Sequence, residues 1–249
     1  MAEIAVQGLT FGYEKQEHIL QDISFRIREG ESVAIVGANG AGKSTLLKLL
    51  VGLLPDFAGS VTFDDMLLAS ENLPAIREKM GFVFQDSDNQ LFMSTVYEDI
   101  AFAPRNYGYP PEEVERRVEQ AMEMTRTTHL RDKQIYKMSG GEKKLVSIAT
   151  VLSMMPEVLL MDEPTIALDP RNRRNLIHIL NEMEQSKIIA SHDLDFVMDC
   201  CDRTLLMEDG RILCDGPTEE ILRDRELLEA HGLELPLSLM ERTPKERKR

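Results

Sequence analysis

Apolar residues recur in this chain with two rhythms. Near the start they come as short blocks, Ile4-Ala5-Val6 and Ile23-Ser24-Phe25-Arg26-Ile27, alternating with polar residues from Glu3 to about Ile27. That alternation, ahead of the turn Arg28-Glu29-Gly30-Glu31, predicts an antiparallel sheet of short strands. Ser32-Val33-Ala34-Ile35-Val36 is instead an almost continuous apolar run with β-branched residues, which predicts a buried parallel strand. Ser60-Val61-Thr62-Phe63 reads as a further strand, and Met80-Gly81-Phe82-Val83-Phe84-Gln85 as a buried one ending on glutamine.

From Asp86 to about Met155 the rhythm changes to the helical one. Val114, Val118 and Met122 fall at i, i+4 and i+8 on one face, with Glu and Arg residues left for the solvated side. An apolar helix is expected from Leu145 to Met155, ended by Pro156. Strands then return at Val158-Leu159-Leu160-Met161, Lys187-Ile188-Ile189-Ala190-Ser191, Thr204 to Met207 and Arg211 to Leu213. A helix carrying Leu176, Ile177, Leu180 and Met183 lies among them, and Pro217 to about Met240 reads as helical, then irregular. The fold class expected is α/β: a mainly parallel sheet with flanking helices, an antiparallel N-terminal β-subdomain and an inserted α-helical subdomain. Residues 1–85 and 156–216 make the core with its antiparallel part, 86–155 the helical subdomain and 217–241 a C-terminal helical extension.

Between the run ending at Val36 and the helix Thr45-Leu46-Leu47-Lys48-Leu49-Leu50 stands Gly37-Ala38-Asn39-Gly40-Ala41-Gly42-Lys43-Ser44, which fits G-x-x-x-x-G-K-[ST]. A triphosphate needs many donors close together, and a tight loop of backbone N–H groups supplies them. Gly37, Gly40 and Gly42 allow dihedrals and close approach that a Cβ blocks. The helix starting near Lys43 adds its positive end. Lys43 is expected to reach the phosphates and Ser44 to ligate Mg²⁺. This core is a P-loop NTPase core, and the chain holds a nucleotide site.

Composition narrows the partners. The chain has 249 residues, 43% of them apolar, and no apolar run near the roughly 20 residues of a membrane helix. Met1-Ala2-Glu3-Ile4 carries no charged n-region or h-region, so a cytosolic protein is expected. A net charge of −14 argues against a nucleic-acid footprint. The tail 242–249 runs the other way, with five basic residues against one acidic, and reads as a disordered, solvated end or a contact for anionic headgroups. Cys200, Cys201 and Cys214 have no metal-ligand spacing and read as free thiols. Met154, Met155 and Met161 read as core filler.

Further chemistry follows downstream. Asp162-Glu163, directly after an apolar strand, suits a Mg²⁺ ligand and a general base for an attacking water. Ser139-Gly140-Gly141, opening a helix, is an anion-binding device or simply a helix cap. Gln85 at a strand end touches metal or water, or is structural; His192 bonds a phosphate, or does nothing. Tyr13 is an adenine-stacking platform or an ordinary strand tyrosine.

In this order the set resembles the ATP-binding subunit of an ABC transporter over nearly the whole chain. Gly37 to Ser44 matches the Walker A loop, Gln85 the Q-loop, Ser139-Gly140-Gly141-Glu142 the signature and Asp162-Glu163 Walker B. Ala167-Leu168-Asp169 matches the D-loop, His192 the switch histidine and Tyr13 the stacking aromatic. Phe84-Gln85-Asp86-Ser87-Asp88-Asn89-Gln90-Leu91-Phe92, Ala101 to Asn106 and Leu235-Pro236-Leu237 are similar to the energy-coupling-factor importers of cobalt, nickel and vitamins. The pattern departs at Met138, Glu142 and Ile166, where leucine, glutamine and a small residue are usual.

The resemblance implies ATP and Mg²⁺ as cofactors. Nucleotide contacts fall to Tyr13, Gly37, Asn39, Gly40, Gly42, Lys43, Ser44, Thr45 and Ser139-Gly140-Gly141; metal contacts to Ser44, Gln85 and Asp162; catalysis to Glu163, His192, Gln85 and Lys43. It implies a head-to-tail dimer, preferably of identical chains, each ATP held between one Walker A loop and the other signature. Separate membrane permease subunits and a peripheral place on the cytoplasmic face of the cell membrane follow from the same likeness. A soluble ABC ATPase of DNA repair or of the ribosome is the alternative; no coiled-coil or zinc insertion and no second cassette is present to favour it. A small-molecule P-loop kinase would carry an arginine lid instead of Ser139-Gly140-Gly141. Leu91, Phe92 and Met93 are expected as an apolar patch that a permease helix covers, or as packing within the subdomain. Asn89 and Gln90 read as a polar loop beside it.

Overall fold

A computed structural model describes residues 3–13 and 16–240, so the basic tail 242–249 lies outside the described residues. The chain opens with β1 (Ile4–Tyr13) and β2 (Gln16–Ile27), one long antiparallel hairpin rather than the expected short pieces. Register shifts between Val6 and Leu9, Leu9 and Phe11, and Phe11 and Tyr13 explain the broken look of the alternation. Each bulge resets which residues face inward. β3 (Ser32–Val36) follows, wholly buried, then the phosphate loop and α1 (Lys43–Leu50). β4 (Ala58–Phe63) and β5 (Met66–Leu67) complete the first sheet, ordered β2-β1-β4-β5 and antiparallel throughout.

Helix α2 (Leu73–Lys79), which the hydrophobic pattern did not predict, leads into β6 (Met80–Val83). β6 stops two residues before Gln85. The Phe84 N–H is taken by the side-chain carbonyl of Gln90, and the Phe84 and Gln85 carbonyls by Lys144, so both leave the ladder. α3 (Val96–Asn106), α4 (Pro111–Met124) and α5 (Gly140–Leu152) form the helical insert. Val114, Val118 and Met122 are buried in it, as their spacing requires. α5 begins at Gly140, so the helix opened by Ser139-Gly140-Gly141 and the apolar stretch from Leu145 are one element, and it ends at Leu152, short of the expected Met155. Ser139 caps it by accepting the Glu142 N–H at 3.3 Å, while the Glu142 carboxylate accepts the Ser139 N–H at 2.8 Å. That reciprocal box starts a helix even over two glycines.

β7 (Val158–Asp162), α6 (Pro170–Glu182), β8 (Ser186–Ala190), α7 (Leu194–Cys200), β9 (Arg203–Glu208) and β10 (Arg211–Pro217) build the second sheet with β3 and β6. α8 (Thr218–Arg223) and α9 (Arg225–Ala230) close the chain before an irregular end. The strand order is β10-β9-β3-β8-β7-β6, parallel except where β10 pairs antiparallel with β9. Its pleat divides the interior into two cores. Val33, Ile35, Leu160, Ile188, Leu205 and Met207 face α1 and the antiparallel sheet. Ala34, Val36, Leu159, Met161, Ile189 and Leu206 face the other helices. A strand covered on both faces is apolar at most of its positions, hence the near-continuous runs read in the sequence; buried Lys187 in β8 is an exception, its ammonium donating to the Met183 carbonyl at 2.7 Å. Each such aliphatic side chain contributes about 1.5–3 kcal/mol relative to exposure.

Two side chains depart from expectation. Met155 is 45% exposed at a left-handed φ of 55°, so it is no core filler, whereas Met161 is fully buried. Leu91 joins the helical core, which leaves Phe92, 63% exposed, to present the apolar surface. The cysteines are free thiols as expected. Among the described residues no helix is long and apolar enough to cross a membrane.

Candidate active site

The parallel strands deliver the site residues to one sheet edge. β3 ends at Val36, and a Cβ on Gly37 would stand 2.1 Å from the Met207 carbonyl oxygen of neighbouring β9. Gly42 has φ 99°, and a Cβ there would meet Leu20 at 2.7 Å. These glycines are therefore required by close approach to fixed neighbours. Within the loop the Lys43 ammonium donates to the carbonyls of Gly37 at 2.7 Å and Ala38 at 3.1 Å. Burial lowers its pKa, and the nearby Glu163 and Asp162 partly restore it.

At the end of β7, Asp162 accepts the Ser44 hydroxyl at 2.8 Å. Burial raises its pKa; the Ser44 bond opposes this and the Glu163 charge adds to it. Asp162 pairs in register with Ala190 of β8, and the Glu163 N–H extends that ladder to the Ala190 carbonyl at 2.9 Å. Glu163 thus turns at φ 46°, a left-handed conformation rare for a side-chain-bearing residue. The turn directs its carboxylate to the end of β8. There Oε2 accepts the His192 backbone N–H at 3.2 Å and the Ser191 hydroxyl at 3.5 Å, and lies 2.7 Å from His192 Nδ1.

One cleft of about 460 Å³ gathers these groups. Asn39, Gly40, Gly42, Lys43, Ser44, Thr45, Gln85, Glu163 and His192 all line it. Gly37 stands behind it at the root of the loop, and Asp162 reaches it through Ser44. Ile19 and Ile166 line it too. Ile19 was missed because it sits inside the bulged hairpin, where alternation gives no direction. Tyr13 is not among the lining residues. It ends β1, 44% exposed, edge-on to Phe11 at 5.0 Å.

The residues from Ser139 to Gly141 do not reach this cleft within the chain. Ser139 opens onto a separate cavity of about 970 Å³, shared with Glu142, Asp169 and Arg171. A Cβ on Gly141 would stand 2.7 Å from Asn172 Nδ2, and one on Gly140 would touch Ala167 at 3.3 Å. Asp169 caps α6 by accepting the N–H groups of Arg171 and Asn172, each at 2.9 Å. Glu142, one of the departures from the family pattern, forms the capping box and pairs with Lys133 at 2.7 Å. Lys133 holds its carboxyl below the usual range.

Two groups went unread in the sequence. Lys144 is 1% exposed inside α5 and donates to the Phe84 and Gln85 carbonyls at 2.9 and 2.7 Å. Burial lowers its pKa to about 8. Gln90, expected in a free polar loop, instead donates to the Ser147 carbonyl at 2.6 Å and the Thr150 hydroxyl at 2.9 Å. A basic residue interrupting an apolar helix was the available signal for Lys144.

The donor chemistry fits a magnesium nucleotide. A hydroxyl and a carboxylate 2.8 Å apart offer hard oxygens, and Mg²⁺ takes one or two protein ligands with phosphate and water rather than a full protein cage.

Residues 20–166 match the family described as ABC transporter. A Geobacter sulfurreducens protein provisionally named an ABC transporter ATP-binding protein is 50% identical over 236 residues, 95% of each chain. The Clostridium perfringens energy-coupling factor transporter ATP-binding protein EcfA3 is 38% identical, with 94% of this chain and 84% of its own covered. Among solved structures, CbiO1 of Clostridium perfringens, described as part of the ABC transporter complex cbiONQ, superposes with a TM-score of 0.82. It is 38% identical and covers 91% of this chain and 93% of its own. Phosphate loop, paired carboxylates and likeness agree: the chain belongs to the ABC transporter family as an ATP-binding subunit, an ATPase that uses ATP with Mg²⁺.

Proposed function

We propose that this ATPase drives an importer of cobalt, nickel or a vitamin, and that it works as a head-to-tail dimer on separate permease subunits at the cytoplasmic face of the cell membrane. The relatives' names support the importer reading: one is an energy-coupling factor transporter protein, another part of a cbiONQ complex. Residues 1–85 and 156–216 would then act as the catalytic core, 86–155 as the helical subdomain and 217–241 as a C-terminal extension.

In this reading Lys43 and the loop N–H groups hold the phosphates, with Asn39 and Thr45 beside them. Ser44, Asp162 and Gln85 hold Mg²⁺, which when bound neutralises phosphate charge. Glu163 takes the proton of the attacking water, and His192 fixes the carboxylate that receives it. Tyr13 stacks the base from the end of β1.

The single observation that carries the assembly is the separation of the two clefts: Lys43 lines one, Ser139 the other. A second copy brings its Ser139-Gly140-Gly141 to the first copy's phosphates. A homodimer then has two complete sites, and we favour it. Mixing Lys43→Ala subunits with Ser139→Arg subunits, each inactive alone, is expected to restore about one working site per mixed dimer. No recovery from demonstrated mixed dimers overturns the shared site.

The permease is placed on an apolar groove of about 280 Å³ next to the Gln85 loop, lined by Phe82, Phe92, Phe102, Tyr107 and Met154. Phe92 and Phe102 meet edge to face at 4.7 Å, and Phe92 is open to a partner. An exposed apolar patch of this kind is the usual mark of a protein interface.

A further inference from the structure

The loop between β6 and α3 is laced to one side of α5. Lys143 pairs with Asp88 at 2.5 Å, Lys144 donates to the Phe84 and Gln85 carbonyls, and Gln90 donates to Ser147 and Thr150. Positions 143, 144, 147 and 150 follow helical spacing, so one helix side holds the whole loop. Gln90 turns back to accept the Phe84 N–H at 3.1 Å, which closes the lacing on itself.

Within this set Lys144 is the anomaly. Its side chain is buried, and among the described residues no carboxylate lies within ion-pair distance of it. Asp162, Asp86 and Glu163 act on it only from beyond contact, and an ammonium with no carboxylate against it is costly to bury. A methionine of similar length would avoid that cost but would leave two carbonyls unbonded. The ammonium sits where it does because two backbone oxygens, one of them of Gln85, converge on it.

We propose that Lys144 is a positioning residue for Gln85: it fastens the backbone carrying Gln85 to the first turns of α5, so that Gln85 and the Ser139 end of that helix move as one body. The hinge between core and helical insert then falls at Val83–Phe84, where β6 leaves its ladder, rather than beyond Gln85. Any displacement of Ser139 is delivered to the phosphate cleft as a displacement of Gln85. The proposal rests on the reading that Gln85 serves that cleft.

The test is a double-mutant cycle joined to hydrogen exchange. Lys144→Met is expected to speed amide exchange across 84–90 by about tenfold or more, with 36–45 unchanged. Its kcat is expected to fall by about tenfold or more while KM for ATP stays within about threefold. Gln85→Ala with Lys144→Met is expected to be no slower than Gln85→Ala alone. Lys144→Gln, which keeps two N–H donors, is expected to recover part of kcat, and it carries the same cycle if the methionine variant does not fold. Unchanged exchange at 84–90, or additive losses in the cycle, overturns the proposal. If exchange rises but Gln85→Ala turns over normally, the reading of Gln85 falls and the fastening stands.

Discussion

Glu163 Oε2 and His192 Nδ1 stand 2.7 Å apart, each at the end of a neighbouring parallel strand. The in-register pairing of Asp162 with Ala190 brings the two strand ends level, so Glu163, one residue past β7, meets His192, two residues past β8. Glu163→Gln keeps the shape of this contact and removes the carboxylate proposed as the base. Its kcat is expected to fall about 10²–10⁴-fold with ATP binding retained. Steady-state hydrolysis beside an equilibrium titration checks both halves, and near-normal turnover would remove Glu163 from the role.

Lys43→Ala acts on a different quantity. The ammonium already sits over the loop, held by the Gly37 and Ala38 carbonyls, so under the proposed assignment its loss removes a preplaced charge-assisted contact to the phosphates. Nucleotide affinity is expected to weaken by about 10- to 100-fold. Calorimetric titration with a non-hydrolysable analogue measures it, and an unchanged Kd contradicts the assignment.

Gln90 and Phe92 are two residues apart and should fail in opposite ways. Gln90→Ala leaves the Phe84 N–H without its partner, at about 1–3 kcal/mol, and removes the amide's bonds to the Ser147 carbonyl and the Thr150 hydroxyl, which still bond each other at 2.8 Å. A lower melting temperature and a weaker isolated ATPase are expected. Phe92→Ser touches only the exposed groove. Basal hydrolysis is expected within about threefold, a barrier change under ~1 kcal/mol, while, on the proposed importer reading, vesicle uptake of the transported metal or vitamin through a co-purified permease is lost. Uptake that survives Phe92→Ser moves the coupling surface elsewhere.

Lys144 also sets a pH signature. Its folded pKa of about 8 lies below the ordinary lysine value of 10.5, because burial disfavours the ammonium. The unfolded chain therefore binds more protons between these values, and this residue's contribution to stability rises with pH. The penalty is fully present below pH 8 and gone by about pH 10.5, on the order of 3 kcal/mol. Denaturant titrations of wild type and Lys144→Met should thus diverge in favour of wild type as pH rises. Parallel curves would show that the ammonium is not desolvated.

The doubly covered strands were legible because burial on both faces leaves an apolar centre of three or four residues, with the polar residues confined to the strand ends. Ser32–Val36, Val158–Asp162 and Ser186–Ala190 came out at or near their bounds for that reason. The phosphate loop was legible because each of its fixed positions answers one steric or charge demand. What stayed hidden depends on contacts between distant segments. Gln90 looked like loop because nothing local shows that Ser147 and Thr150 await its amide. Helix α2, seven residues with one buried side chain, has too little apolar face to announce itself. The hairpin of β1 and β2 was read in fragments because its bulges break the period that defines a strand.

Gly37 and Gly40 look equivalent in the motif and are not. The first is walled in by the Met207 carbonyl; the second, at φ 87°, has nothing within 4 Å of where a Cβ would sit. In a saturation library scored for soluble protein, position 37 should admit glycine alone. Position 40 should also admit Asn and Asp, which tolerate left-handed backbone. Divergence among natural descendants of this loop is thus asymmetric before any nucleotide arrives, with one position frozen by the neighbouring strand and the other answerable only to what the cleft must hold.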